Sequence, residues 1–235
     1  MKEPWPDDFG SSYEKAKSLQ SALKASQTRL TRAVQALAPK HKGGELEEFA
    51  AAQEALLEAE RALAAAQNEP HAVPIEFPVQ WDTGAPLPYL LQNDYRTFLV
   101  FFLRDVDPDW DGTYVNVRHA DNPSPSNLAV VEFKRCICTK MGTPNDEVFH
   151  GHPLNGKGLR GYSPLRVKNS LWIKELETIN SIHSGYRPES WRSLNHYIFG
   201  FHDCTFECVA ESFLVEARAT TVPELLTEIC GKLVQ

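Results

Sequence analysis

The sequence predicts an α+β protein in which an N-terminal antiparallel helical hairpin precedes a domain built on a mixed or antiparallel sheet with a few packed helices. Residues 11–69 are rich in Ala and carry Leu at heptad spacing, whereas Pro, Gly and aromatic residues become more frequent from Pro70 onward. In this second part the predicted strands come in runs and do not alternate with helices, which favours an antiparallel or mixed sheet. We therefore divide the chain into residues 1–69 and 70–235.

The predicted hairpin consists of two helices of opposite charge. We expect the first helix to begin at Ser11 or Ser12 and to end before Pro39, and the second to span residues 45–68. Residues 11–42 hold seven basic side chains against one acidic, and residues 45–69 hold seven acidic against one basic. This charge pattern favours antiparallel pairing. Two hypotheses stay open: the hairpin packs on the rest of its own chain, or it is an oligomerisation arm.

The second part begins with strands and ends in a helix. Thr221 and Glu224 form the pattern of a capping box, and Pro223 stands in the first turn of the closing helix. The remaining elements are strands at 97–103, 113–117 and 128–139, a helix at 169–183, and strands at 196–202 and 206–217.

Composition excludes two classes of partner. The chain has 24 Lys and Arg against 31 Asp and Glu, a net charge of −7, which is unsuited to gripping a nucleic-acid backbone. No run approaches the ~18 consecutive apolar residues of a membrane span. The five cysteines, an odd number without an apolar export signal, predict reduced thiols and a cytoplasmic protein.

Three short motifs resemble known sites but are incomplete. Residues 107–112 match the first half of a calcium loop, yet Arg118 occupies the position where such a loop needs Glu. Asp82 begins an Asp-Thr-Gly triplet like that of aspartic proteases, but without a second copy in the chain. We predict turns at both places. Residues 156–161 have glycines at dinucleotide-fingerprint spacing, but no helix is predicted to follow directly.

That glycine-bearing segment carries two cations, Lys157 and Arg160. As a mobile loop it can close over an anionic ligand or cofactor, and these two side chains are then its contacts. The alternative is an ordinary surface loop.

Histidines provide the candidate catalytic centre. His150 and His152 form an H-x-H pair, and His202 stands where a predicted strand ends. Three imidazoles are a typical ligand set for catalytic zinc, which lowers the pKa of a bound water to about 7. Asp203 and Glu207 are then candidates for the general base or for orienting a ligand. The alternative is that these residues are ordinary packed side chains.

Two functions from different classes follow. The first is a small metal-assisted, hydrolase-like enzyme that uses the histidines with zinc. The second is a non-catalytic protein that binds a small molecule or a protein partner, with residues 11–69 mediating association, including homo-oligomerisation.

Overall fold

The computed structural model describes residues 8–37, 44–105 and 119–235. The calcium-like motif at 107–112, the strand predicted at 113–117 and most of the turn between the first two helices lie outside the described residues. The chain forms two compact units, one comprising the described part of Met1–Val73 with Pro153–Leu159, the other Pro74–His152 with Arg160–Gln235. The α+β class predicted from the sequence is confirmed, because two N-terminal helices precede two antiparallel sheets.

The first unit contains the helical hairpin. Helix α1 spans Asp8–Ala36 and helix α2 spans Gly44–Ala66. The predicted start of α1 was wrong, because the helix begins at Asp8 and includes both serines proposed as caps. The less exposed positions of α1 recur every three or four residues, as expected for an apolar seam. Across the hairpin Arg29 pairs with Glu48, Nε to Oε1, at 2.8 Å.

Helix α2 also packs on other parts of the first unit. Strand β1 (His71–Pro74) follows the hairpin, and Arg61 Nε donates to Ala72 O at 3.1 Å. The backbone N–H of Gly158 donates to Glu60 Oε2 at 3.0 Å, and its φ is +79°. A Cβ at this glycine would lie 2.4 Å from Arg61 Cγ, so close packing requires glycine here. The hairpin is therefore held to other segments of its own chain along α2.

The described residues of the second unit form two sheets in which neighbouring strands pair antiparallel. The first has the order β2-β3-β4-β9, with strands Tyr89–Gln92, Thr97–Phe102, Ser126–Lys134 and Ser212–Thr220. In the second, β6, β7, β8 and β5 are neighbours in that order, with strands Pro164–Lys168, Asn195–Gly200, Thr205–Ala210 and Cys138–Gly142. Three helices complete the unit: α3 (Leu171–Asn180), α4 (Glu189–Arg192) and α5 (Val222–Leu233).

Two long strands were predicted where four shorter ones exist. The segment 128–139 divides into β4 and β5, with Arg135 at φ +48° between them, and 206–217 divides into β8 and β9 around Glu211. The two breaks are adjacent, since Glu211 N donates to Lys134 O at 3.0 Å. A two-stranded ribbon thus bends at one corner and passes from one sheet to the other. The apolar positions that face the core change parity at the corner, from 133 to 136 in one segment and from 210 to 213 in the other, and the prediction of two single strands missed this shift.

Two apolar cores hold the sheets. Aromatic side chains from both sheets, among them Phe101, Phe133 and Phe199, fill the space between them. The other face of the first sheet packs against α5, whose Thr221–Glu224 capping box is present as predicted. Strand β3 is buried on both faces, which confirms the strand predicted from its continuous apolar run. Among the described helices, none combines the length and apolar character needed to cross a membrane.

Candidate functional site

Three of the sequence-predicted residues, His152, His202 and Glu207, belong to two separate groups of polar side chains in the second unit. We call Ser170, His196, Glu207 and His152 the Glu207 cluster. We call Asp146, Tyr162 and His202 the His202 cluster.

The Glu207 cluster is assembled by sheet register. Ile198 of β7 lies opposite Glu207 of β8, so His196, two residues away, projects from the same face as the carboxylate. His196 Nε2 lies 2.7 Å from Glu207 Oε2. On the other carboxylate oxygen, Oε1, the nearest imidazole nitrogen is His152 Nε2 at 3.7 Å.

In the Glu207 cluster, hydrogen bonds run from Ser170 through His196 to Glu207. Ser170 caps α3 by accepting from Ile173 N at 3.2 Å, and its hydroxyl lies 2.9 Å from His196 Nδ1. The Ser170 hydroxyl and His196 Nδ1 thus share a hydrogen bond, and on the other side of the ring His196 Nε2–H donates to Glu207. Trp172 covers the imidazole edge-on, with ring centroids 5.0 Å apart. The imidazole of His196 has no nitrogen left for a substrate, and its residue is only 6% exposed.

The carboxylate at the centre of this cluster stays charged. Burial by itself raises the pKa of Glu207, but hydrogen bonds from His152 and His196 bring it far below its usual range. Such a half-buried carboxylate, hydrogen-bonded to His196 and close to His152, fixes its neighbours in place. The arrangement is that of a structural network between α3 and the second sheet.

The His202 cluster is formed by three chain segments at one end of the second sheet. His202 follows β7 in the tight turn to β8, where Phe201 N donates to Cys204 O at 2.8 Å. Asp146 follows β5, and its N–H donates to His202 O at 3.0 Å. Tyr162 precedes β6, and its N–H donates to Gly200 O at 3.0 Å. Backbone hydrogen bonds therefore hold all three residues against the β7–β8 turn.

Their side chains converge on one carboxylate oxygen. His202 Nδ1 lies 2.8 Å from Asp146 Oδ2, and the Tyr162 hydroxyl donates to the same oxygen. The hydroxyl also lies 3.0 Å from His202 Nδ1. An imidazole held at Nδ1 by a carboxylate presents the opposite nitrogen, Nε2, for proton transfer.

Electrostatic interactions keep the Asp146 carboxyl and the Tyr162 phenol in different protonation states. The hydrogen bond from Tyr162 lowers the pKa of Asp146, and the bond and charge of His202 lower it further. Burial and the Asp146 carboxylate raise the pKa of the Tyr162 phenol well above its usual value. At neutral pH the site therefore holds an ionised carboxylate beside a protonated phenol.

Solvent reaches His202. Its side chain is 44% exposed, and Nε2 lies 4.0 Å from Asp203 Oδ1, which is beyond hydrogen-bond distance. Of the two predicted acids, Asp203 is thus beside this imidazole, whereas Glu207 belongs to the buried network.

A pocket of about 430 Å³ adjoins Tyr162 in the second unit. Its walls are the extended segment leading to Trp81, the chain around Arg104, and the chain before β6, where Arg160 and Tyr162 stand. The lining side chains are Ile75, Phe77, Val79, Gln80, Trp81, Thr83, Arg104, Arg160, Tyr162, Ser163 and Pro164. The volume suits a small molecule.

The two cations of the glycine-bearing segment belong to different units. Lys157, in the first unit, pairs with Glu69 of that unit, Nζ to Oε2, at 2.7 Å. Arg160, in the second unit, lines the pocket. The turn predicted at Asp82 is confirmed, because its carboxylate accepts from the backbone N–H groups of Gly84 and Ala85.

The predicted zinc ligands have separate surroundings. His152 faces Glu207, His202 faces Asp146, and His150 is exposed in the 3₁₀ turn Phe149–Gly151. Within residues 8–37, 44–105 and 119–235, no group of three or more His, Cys, Asp or Glu side chains is arranged to hold a metal ion. The geometry gives the zinc site no support, and it stays a prediction.

Sequence reasoning missed Asp146 and Tyr162. Both are far from His202 along the chain, and neither stands in a recognisable motif. Only the pairing of β5 and β6 with their neighbours could have indicated their position. Comparison of the chain with protein families, curated proteins and solved structures finds no match.

Proposed function

We propose that the second unit is a small enzyme that works by general acid–base catalysis, with hydrolysis as its reaction. His202 is the general base, and Asp146 is the residue that positions it. The observation that carries the proposal is the combination of a carboxylate 2.8 Å from His202 Nδ1 with a half-exposed imidazole that has no hydrogen-bond partner on Nε2 within the described chain.

Each group has a defined role in the proposed reaction. Nε2 of His202 removes a proton from a water molecule, whose oxygen attacks the electrophilic carbon or phosphorus of an ester. The imidazolium then returns that proton to the leaving oxygen, so the ester and water become an acid and an alcohol. Asp146 stabilises the imidazolium and fixes the tautomer, as the acid of a catalytic triad does. Tyr162 holds the carboxylate in place.

The experiment compares hydrolysis of p-nitrophenyl acetate and p-nitrophenyl phosphate by the full chain and by His202→Ala. We expect the variant to be slower by about 100-fold or more, the usual contribution of a general base. The matched control is His183→Ala, since His183 is exposed and its Nδ1 accepts a local hydrogen bond from Gly185 N. Circular dichroism checks that each variant is folded.

Two outcomes would contradict the proposal. One is equal turnover by the full chain and His202→Ala. The other is absence of turnover with both esters, in EDTA and with added zinc. The zinc arm also tests the predicted metal dependence, because chelation abolishes the reaction only if the metal is required.

Association through residues 11–69 is a second proposal, from the other function class. It is favoured by the exposed apolar side chains Val34 and Leu46, each 51% exposed, on the two helices of the hairpin. The contacts of α2 with Ala72 and Gly158 favour the alternative, in which the hairpin packs on other segments of its own chain. Sedimentation equilibrium of the full chain decides between them: a single-chain mass of 26.4 kDa at micromolar concentration would contradict association.

A further inference from the structure

Strand β9 (Ser212–Thr220) is an edge of the first sheet, and among the described residues no strand lies on its outer side. We propose that this edge is an interface that pairs antiparallel with β9 of a second copy of this chain, across a two-fold axis at Ala217. The pairing joins the first sheets of the two copies into one continuous sheet. This surface is separate from the His202 cluster and from the helical hairpin.

The backbone groups on the outer side of β9 follow from the hydrogen-bond alternation of antiparallel strands. Leu103 N donates to Asn127 O, so the odd-numbered residues of β4 direct their backbone groups to β3. The even-numbered residues of β4 therefore bond to β9, where their partners are also even-numbered, as in the pair of Leu128 and Arg218. The N–H and C=O groups that remain on the outer side are those of Phe213, Val215, Ala217 and Ala219. Within the described chain, none of these groups has a hydrogen-bond partner.

The edge also lacks the features that keep sheet edges from pairing. The nine residues of β9 match β4 without a bulge and include no Pro, Gly or Lys. By contrast, the edge strand β2 has four residues, and the edge strand β5 has five with Lys140 at its centre. Ala217 and Ala219 are exposed, so the outer side is open where the axis is placed. A long, regular and open edge is a template for another strand.

Charge favours a second copy as the partner and selects the register. With the axis at Ala217, Glu216 of each copy lies directly opposite Arg218 of the other, whereas a shift by one residue places Glu216 opposite Glu216. Within its own chain Arg218 already bonds to Glu228 at 3.0 Å and to Glu216 at 3.3 Å. The second copy thus extends an alternating row of charges, and the main effect of these charges is to fix the register.

The same register covers an exposed apolar side chain. Leu214 is 60% exposed and projects from the same face of β9 as Glu216 and Arg218. In the proposed pairing, Thr220 of the second copy lies opposite Leu214. Because the hydrogen bonds between the copies belong to odd-numbered residues, these two residues form a non-hydrogen-bonded pair, in which side chains approach most closely. The pairing therefore removes part of the Leu214 side chain from water.

The first test is sedimentation equilibrium of the full chain from about 1 μM to about 1 mM. We expect the mean mass to rise with concentration from 26.4 kDa toward twice that value. Amide exchange of Val215, Ala217 and Ala219 should slow over the same range, whereas exchange of Glu216, whose N–H faces β4, should not change. A mass of 26.4 kDa at every concentration would overturn the proposal.

A proline substitution locates the interface. Ala217→Pro removes an outward N–H without removing a bond to β4, and proline is tolerated at such positions of an edge strand. We expect it to raise the dissociation constant of the dimer about tenfold or more. Ala217→Val, which keeps the N–H, is the matched control and should dimerise as the unsubstituted chain does. Circular dichroism checks folding, and undiminished dimerisation of folded Ala217→Pro would refute the assignment.

A charge exchange tests the register and does not depend on the proline variant. Glu216→Arg places like charges opposite each other at the surface and should weaken the dimer about tenfold or more. Adding Arg218→Glu restores opposite charges between the copies and should recover the affinity. A double variant no tighter than the single one would contradict the register.

The hairpin provides a separate control. Val34→Glu with Leu46→Glu alters only the hairpin surface, so the β9 dimer should be unchanged. If this variant were monomeric and Ala217→Pro were not, association would belong to residues 11–69 and β9 would be refuted. Ester hydrolysis by Ala217→Pro should equal that of the unsubstituted chain, so the enzyme and the interface stand or fall separately.

Discussion

The two polar clusters of the second unit contain the same kinds of side chain and differ in what surrounds them. In the Glu207 cluster a histidine is 6% exposed, with Ser170 on one ring nitrogen and a carboxylate on the other. In the His202 cluster the imidazole is held on Nδ1 and is 44% exposed at the tip of a turn. A serine, a histidine and an acid in line are therefore not sufficient evidence of catalysis.

The difference has a simple physical basis. A hydrogen-bonding group that is buried and fully satisfied contributes to stability, and using it for proton transfer would leave a buried group unpaired. A group that is oriented on one side and open on the other can exchange a proton with a ligand. We therefore expect the first cluster to affect unfolding and the second to affect turnover.

The largest effect is expected at Asp146. Asp146→Asn keeps the shape of the side chain but removes the charge that stabilises an imidazolium, so turnover should fall by about 10²–10⁴-fold. The measurement is the rate of p-nitrophenyl ester hydrolysis per folded molecule, with the exposed Asp94→Asn as control. If Asp146→Asn kept its turnover within a factor of two of the unsubstituted chain, the His202 cluster could not be called catalytic in contrast to the Glu207 cluster.

Glu207→Gln should lower the stability of the fold and leave turnover unchanged. Because the carboxylate accepts a 2.7 Å bond from His196 in a buried site, we expect the free energy of unfolding to fall by about 2 kcal/mol. Turnover per folded molecule should not change. Urea denaturation followed by fluorescence measures the first quantity. A variant of normal stability that has lost activity would place Glu207, and not Asp146, in the active site.

The contribution of Glu207 to stability should depend on pH. The pKa of Glu207 is lowered by folding, so its stabilisation is complete above the unfolded value of about 4.3 and disappears as pH falls through the folded pKa. The stability difference between the unsubstituted chain and Glu207→Gln should thus be constant from pH 7 to about 5 and shrink below about 4.3. A difference that does not depend on pH would contradict the assignment, and the exposed Glu175→Gln serves as the control.

The smallest effect is expected at Ser170. Ser170→Ala removes the cap of α3 and the hydrogen bond with His196 Nδ1, so the free energy of unfolding should fall by about 1 kcal/mol with turnover unchanged. Urea denaturation again gives the measurement. If instead turnover were lost while stability stayed the same, Ser170 would be a nucleophile and the buried cluster the catalytic one.

Much of the fold was predictable from sequence because it depends on local patterns. The continuous apolar run of β3 and the Thr221–Glu224 capping box both have short-range signals, and both are present. The corner at Arg135 and Glu211 was missed, because its signal in the sequence is a one-residue shift in the parity of the apolar positions and not a turn motif. The helix predicted at 169–183 ends at Asn180, and His183 is exposed beyond it.

The candidate site was predictable only in part. His202 was identified because it stands at the end of a strand, and this position is what exposes it. Its partners Asp146 and Tyr162 are brought to it by strand pairing over 56 and 40 positions of sequence. Glu207 was identified from residue type alone, which does not distinguish a buried carboxylate from an accessible one.

The bent ribbon has a consequence for how the second unit opens. β4 and β5 follow one another in the chain and pair with β9 and β8, so the same two backbone segments supply strands to both sheets. Separating the strands of one sheet therefore disturbs the strands of the other, because the two sheets share the corner at Lys134 and Glu211. The amide protons of β4 and β8 should therefore exchange with solvent in a single cooperative step, as one foldon. The turn that carries His202 leads directly into β8, one of these strands.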